Sequence, residues 1–199
     1  MNSRMTRTAA AFLLALAGLV LFGQGAYVQA KALVAQVLLK RAFSETLVGS
    51  RNVKPWPWAD TWPVARIEIE RLGASTIVLE GSSGQALAFG PGHVEQSPEA
   101  GERGVAIYSA HRDTHFRFLK DVNVGDEVLI TRRDGKKFRY RIDGASVVRF
   151  DQSGIDPLSS GYEVVLSTCW PFDAVTSGPM RYVVHGELIG KAAEAATVR

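Results

Sequence analysis

From Val64 onward the chain alternates. In Arg66-Ile67-Glu68-Ile69-Glu70 every second side chain is apolar, the period of a strand with one buried face. Short apolar runs recur at 76–80 and 105–108, and strand patterns follow at 127–132, 136–142, 146–150, 164–169 and 181–189. Asp134-Gly135 joins two of these as a hairpin. A helical turn is expected around 85–88, a turn at Gly90-Pro91-Gly92, a short helix over 116–120 and a turn over 122–126. Eight short strands with no long helix after Val48 predict a mainly all-β domain. Its strands should close into an antiparallel or mixed β-barrel carrying short helices. The 19 glycines suit the turns, and a hydrophobic content of 46% can fill the core.

The N-terminus follows a different pattern. Arg4 and Arg7 precede an uncharged run over residues 8–30, wholly apolar or glycine across 9–23. About 20 apolar residues span a bilayer core, and 9–28 meets that length with Gln24 as the clearly polar interruption. The leading arginines place the N-terminus in the cytoplasm and the rest of the chain outside. A cleaved signal peptide ending at Val28-Gln29-Ala30 is the alternative. The run exceeds the roughly 7–15 apolar residues of a signal core, which favours an uncleaved anchor.

Residues 31–48 set Leu33, Val37, Leu38 and Ala42 among Lys31, Lys40 and Arg41, the spacing of a helix with a basic face. Such a helix either lies at the membrane surface or packs on the domain. Pro55, Pro57 and Pro63 forbid a regular helix over 51–63. Trp56, Trp58 and Trp62 there either anchor at the interface or cover an edge of the barrel. The expected organisation is a cytoplasmic stub and anchor over 1–30, an amphipathic helix and Trp/Pro-rich linker over 31–63, the barrel over 64–190, and an Ala-rich, frayed tail over 191–199.

Charge and cysteine usage narrow the function. The formal charge is +3 with a sequence pI near 9.1. There is no basic stripe interleaved with aromatics, so no nucleic-acid partner is expected. A single cysteine excludes an internal disulfide and a cysteine-rich zinc site. No acidic loop cluster suggests calcium, so neither metal nor cofactor is expected.

That cysteine ends the run Val164-Val165-Leu166-Ser167-Thr168-Cys169, and Pro171 stops regular pairing just beyond it. A thiol there sits on a rigid strand close to solvent, as a nucleophile requires. A lone cysteine is otherwise a small buried hydrophobe. His111 follows the strand at 105–108 and can serve as base and then acid. Arg181 opens the last strand, and a guanidinium there can stabilise a developing oxyanion. His115 is the rival base, and His185, inside a strand, reads as structural. Asp113 either orients an imidazole or pairs with Arg112.

Ala110-His111-Arg112-Asp113-Thr114-His115-Phe116, Leu166-Ser167-Thr168-Cys169 and Arg181-Tyr182-Val183-Val184 together resemble the sortase family. Gly90-Pro91-Gly92-His93, 116–119 and Gly125-Asp126 agree, so the resemblance covers about 64–188. It implies an eight-stranded sortase-type β-barrel behind an N-terminal transmembrane helix. It implies a cysteine transpeptidase that cuts a Leu-Pro-x-Thr-Gly-like signal after the threonine and passes the thioacyl intermediate to an amine in the envelope. Cys169 would be the nucleophile, His111 the general acid/base and Arg181 the oxyanion and substrate stabiliser, with Thr168 and Ser167 touching substrate.

The partners so implied are a protein bearing a C-terminal sorting signal, the amine acceptor and the inner membrane. Cys-Trp-Pro-Phe and the single anchor look most like the sortases of Gram-negative proteobacteria, which would put the domain in the periplasm. Ala110 departs from the glycine that often precedes the histidine. It should be tolerated if the backbone there does not need positive φ. Two alternatives compete: an L,D-transpeptidase-like cysteine enzyme of the envelope, and a non-catalytic envelope-binding module.

Overall fold

The computed structural model describes residues 3–49, 52–176 and 178–191. It divides into two units, residues 1–37 and 38–199. The first is the N-terminal part of helix α1 (Ser3–Leu47). Phe12, Leu13, Leu14, Leu19, Leu21 and Phe22 are all exposed, so its apolar surface runs around the helix. A helix apolar all round with no protein over it matches a lipid environment. Among the described residues α1 is the one helix long and apolar enough to cross a membrane. It continues through residue 30 without a break.

In the second unit the last turns of α1 bury Leu39 and Phe43 against Ile77, Leu79 and Ala86, with Trp56 and Phe89 beside them. Of the apolar positions expected to share a helix face over 31–48, Ala42 is buried while Leu33 and Val37 stay exposed, and the burial falls instead on Leu39 and Phe43. Trp62 also packs on the barrel core, whereas Trp58 stays exposed.

Eight strands form a closed barrel in the order β1-β2-β3-β4-β7-β8-β6-β5. They are β1 (Pro63–Ile69), β2 (Ala74–Glu80), β3 (Gly92–His93), β4 (Gly104–Ser109), β5 (Glu127–Arg132), β6 (Lys137–Arg149), β7 (Tyr162–Cys169) and β8 (Met180–Lys191). β1 pairs antiparallel with β5 and closes the ring. Helix α2 (Gly84–Leu87) has Ser83 as its cap, and a 3-10 helix spans Arg117–Asp121. The expected hairpin joins β5 to β6, with Gly135 at φ 79°.

The expected number of strands is right, but two of its members differ. Residues 136–142 and 146–150 are not separate strands: β6 runs through both. Its register against β8 shifts between Ile142 and Gly144, so Asp143 is a bulge residue and not a turn. The eighth strand is instead the two-residue β3, which pairs parallel with β2 and antiparallel with β4. It runs too briefly to show a period. A Cβ on its Gly92 would lie 2.2 Å from the Gly81 carbonyl oxygen, so only glycine fits that close approach. The frayed tail expected over 191–199 falls, beyond Lys191, on residues outside those described.

The pairing of β4 with β7 positions the site. The two are parallel, Ala106 opposite Val164 and Ser109 opposite Ser167, so both strands end at the same rim. β8 is antiparallel to β7, so its beginning lies at that rim too. Inside the barrel Ala106, Tyr108, Val164, Leu166 and Val184 join the main core. Val105, Ile107, Val165 and Val183 pack together on the other face of the same three strands.

Candidate active site

Strand parity decides which face each rim residue takes. Val165, Ser167 and Cys169 share the outer face of β7, as Val183 and Arg181 do on β8. Cys169 lies directly opposite Arg181 in the register, and such pairs hold Cβ atoms about 4.5–5.5 Å apart. On β4, Val105, Ile107 and Ser109 take the outer face, and His111 follows two residues later. His111, Cys169 and Arg181 therefore stand on the ends of three neighbouring strands. His111 is exposed and Cys169 half-buried, a free thiol.

The turn carrying His111 is fastened to β7. The Ala110 amide donates to the Ser167 carbonyl at 3.1 Å. The Thr168 hydroxyl donates back to the Ala110 carbonyl at 2.7 Å. Ala110 is buried in the core and is not among the residues of positive φ, so no glycine is needed before the histidine. Thr168 is 2% exposed with its hydroxyl committed to Ala110, while Ser167 lies on the outer face beside Cys169.

On the far side of His111, Arg112 is buried. It donates to the carbonyls of Pro171 at 2.9 Å, Thr176 at 3.1 Å and Ala174, all just after Cys169. Asp113 is exposed and comes within 3.5 Å of its Nε, so this carboxylate faces Arg112. Trp170 stacks on Tyr182 at 5.6 Å, and Phe172 meets both rings edge-on at 5.7 and 5.3 Å. Trp170-Pro171 is cis. These aromatic and carbonyl contacts escape a motif reading, since their partners lie on another strand or are backbone atoms. The run of bulky residues after Cys169 was the available signal.

Arg181 donates from Nη1 to the carbonyls of Gly178 and Met180, both at 2.9 Å. Its guanidinium lies 5.6 Å from the centre of the Phe150 ring. Its remaining donors have no protein acceptor among the described residues, which leaves them for a ligand. His115 is half-buried. Burial pushes its imidazole below the usual histidine range, a backbone hydrogen bond with Ala88 opposes this, and nearby His111 adds to the lowering. His93 is a core histidine, its Nε2 3.1 Å from the Pro98 carbonyl and 3.2 Å from the Ser97 hydroxyl. His185 lies within β8 opposite Val165. No cluster of three or more His, Cys, Asp or Glu residues able to hold a metal occurs among the described residues.

A closed mixed barrel with a thiol, an imidazole and a guanidinium on adjoining strand ends has the parts of a cysteine acyl-transfer enzyme. Comparison with known proteins gives the family. The Sortase domain model matches residues 67–189. Sortase D of Bacillus subtilis is 32% identical over 124 residues, 62% of each chain, so the match spans about three fifths of that relative's length. The structure of a Clostridium perfringens sortase D5 transpeptidase superposes with a TM-score of 0.62 at 26% identity, covering 79% of this chain and 99% of that one. Sortase E of Streptomyces avermitilis gives a TM-score of 0.56 at 30% identity over 65% of this chain and 90% of its own. The chain belongs to the sortase family, whose members are cysteine transpeptidases.

Proposed function

We propose that the protein is a membrane-anchored cysteine transpeptidase that cleaves a Leu-Pro-x-Thr-Gly-like signal near the C-terminus of a substrate protein and joins the new carboxyl end to an amine. The observation that supports this reading is that Cys169 lies opposite Arg181 in the register of β7 and β8, while β4, two residues before His111, ends beside β7 at the same rim.

The Cys169 thiolate attacks the threonine carbonyl carbon, and the carbonyl electrons move to oxygen. Arg181 lies opposite Cys169 in the register with donors that have no protein partner among the described residues, and it stabilises that oxyanion. The C–N bond breaks as His111 protonates the leaving amine, and a thioester remains on Cys169. An incoming amine loses its proton to His111 and attacks the thioester. A new amide forms as the C–S bond breaks, and the Cys169 thiolate leaves beside the reprotonated His111. His111 is favoured over His115 because it lies two residues beyond the end of β4 and is exposed. His115 lies half-buried, with a backbone hydrogen bond to Ala88. Ser167, on the outer face, is the residue we expect to touch substrate, while the Thr168 hydroxyl donates to the Ala110 carbonyl.

The uncharged apolar run of α1, preceded by Arg4 and Arg7, supports an uncleaved anchor with the barrel outside the cytoplasm. Cys-Trp-Pro-Phe supports the proteobacterial group and a periplasmic location. The partners are then a protein bearing the sorting signal and an envelope amine.

The test uses the full chain in detergent micelles with a Leu-Pro-x-Thr-x peptide library and an added amine. Intact-mass spectrometry should find an acyl adduct on Cys169 and a ligated product, and Cys169→Ala should give neither. A wild type that forms no adduct with any peptide overturns the transpeptidase reading in favour of a binding module.

A further inference from the structure

His111 is exposed, so its own packing does not hold its ring against Cys169. The residues on either side are held instead. Ahead of it, Ala110 is tied through both backbone groups to Ser167 and Thr168, immediately before the cysteine. Behind it, Arg112 is tied to the carbonyls of residues 171, 174 and 176, immediately after the cysteine. The histidine turn thus grips the cysteine segment from both sides.

We propose that Arg112 is a positioning residue for the transfer reaction, setting the His111 imidazole against the Cys169 thiol through the connection between β7 and β8. This rests on the Cys169–His111 reading given above. Arg112 is 6% exposed although it follows an exposed residue and precedes one that is 69% exposed. A buried guanidinium loses hydration, and here three carbonyls replace the water lost from Nη1 and Nη2, while the buried Nε has no hydrogen-bond partner among the described residues. All three belong to one connection, where Pro171, Asp173, Val175 and Thr176 are exposed. Among the described residues 171–176, one backbone hydrogen bond joins the segment to itself, from the Ala174 amide to the Pro171 carbonyl at a long 3.3 Å.

The two ends of the guanidinium divide the work. Nη1 takes Pro171, two residues after the nucleophile, while Nη2 takes Ala174 and Thr176 further on. A planar fork reaches these separated acceptors from one fixed orientation, and an ammonium on a flexible stem does not. Without the fork, the histidine turn and the segment after Cys169 are free to move apart.

The experiment needs no substrate for its first readout, because Cys169 is the only cysteine in the chain. The full chain in detergent micelles is alkylated with iodoacetamide across a pH series and followed by mass spectrometry. Wild type, His111→Ala, Arg112→Lys and Arg112→Gln are compared, each checked for folding by circular dichroism and assayed well below its melting temperature. Wild type should show a step in alkylation rate that His111→Ala removes. Both Arg112 variants should shift or lose that step. With peptide and amine, their kcat should fall about 100-fold while KM stays within a few-fold, the pattern of lost alignment.

A folded Arg112→Lys with the wild-type alkylation profile and wild-type kcat overturns the proposal. So does a loss confined to melting temperature, which would make Arg112 a structural residue only. If His111→Ala leaves the wild-type profile unchanged, the Cys169–His111 pairing itself fails, and the role of Arg112 fails with it. Arg112→Lys decides the matter if Arg112→Gln does not fold.

Discussion

Two groups of arginines in this domain are used in opposite ways. Arg71, Arg132 and Arg133 are bound by carboxylates. Arg71 is bidentate to Asp126 at 2.5 and 2.7 Å. Arg132 meets Glu99 at 2.7 Å and Glu102 and Asp134 at 3.3 Å, and Arg133 shares Glu99 at 2.8 Å. Arg112 and Arg181, beside the cysteine, are held mainly by carbonyl oxygens. The lesson is electrostatic. A carboxylate neutralises the guanidinium it fixes, whereas a carbonyl fixes it and leaves the positive charge available. A site that must meet a developing oxyanion needs the second arrangement.

The comparison can be broken in order of expected effect. Cys169→Ala should abolish adduct formation outright, and His111→Ala should lower kcat/KM by about 100- to 10,000-fold, the span of a lost general acid/base. Peptide turnover measures both. Arg181→Ala should cost about 100- to 1,000-fold in kcat with little change in melting temperature. Equal loss in Arg132→Ala would show that the two groups of arginines are not distinct.

Arg132→Ala should instead leave kcat unchanged and lower stability by about 2 kcal/mol, since Glu99 loses a partner and the Ala100 carbonyl loses a donor. Urea unfolding reads that number. Thr168→Val removes a buried donor to Ala110 and should cost about 1 kcal/mol by the same measurement, with a modest fall in turnover.

The smallest effect is pH-dependent. The Arg71 guanidinium holds the Asp126 carboxyl below the usual carboxylate range. A depressed folded pKa contributes stability above the ordinary carboxylate value of about 4, and that stability is lost as pH falls through the lower folded value. Asp126→Asn should therefore be less stable than wild type at pH 7, and the gap should close below about pH 4. A gap that persists into acid would assign the effect to packing.

Local order was legible in the residues. Alternation over 66–70 and apolar runs at 76–80 and 164–169 set strands where they occur, because burial on one face imposes the period. Asp134-Gly135 set its hairpin because a tight turn needs the conformations that pair allows. The bulge at Asp143 read as a break, since one extra residue interrupts the pattern as a turn does. The length of β3 hid it from any periodicity argument.

The candidate site divides along the same line. Three short motifs carry Cys169, His111 and Arg181 and the family resemblance, so the family and these three candidates were readable from the chain alone. Tertiary structure alone decided that β4 runs parallel to β7. That pairing brings two ends 58 residues apart to one rim. It also decided that Arg112 turns inward to the carbonyls after Cys169 instead of resting in a simple surface pair with Asp113. The reason is physical. A strand or a turn is a contract among neighbours, written in side-chain period and backbone freedom. A parallel pairing and a carbonyl clamp join backbone atoms distant along the chain, and backbone atoms are the same in every residue.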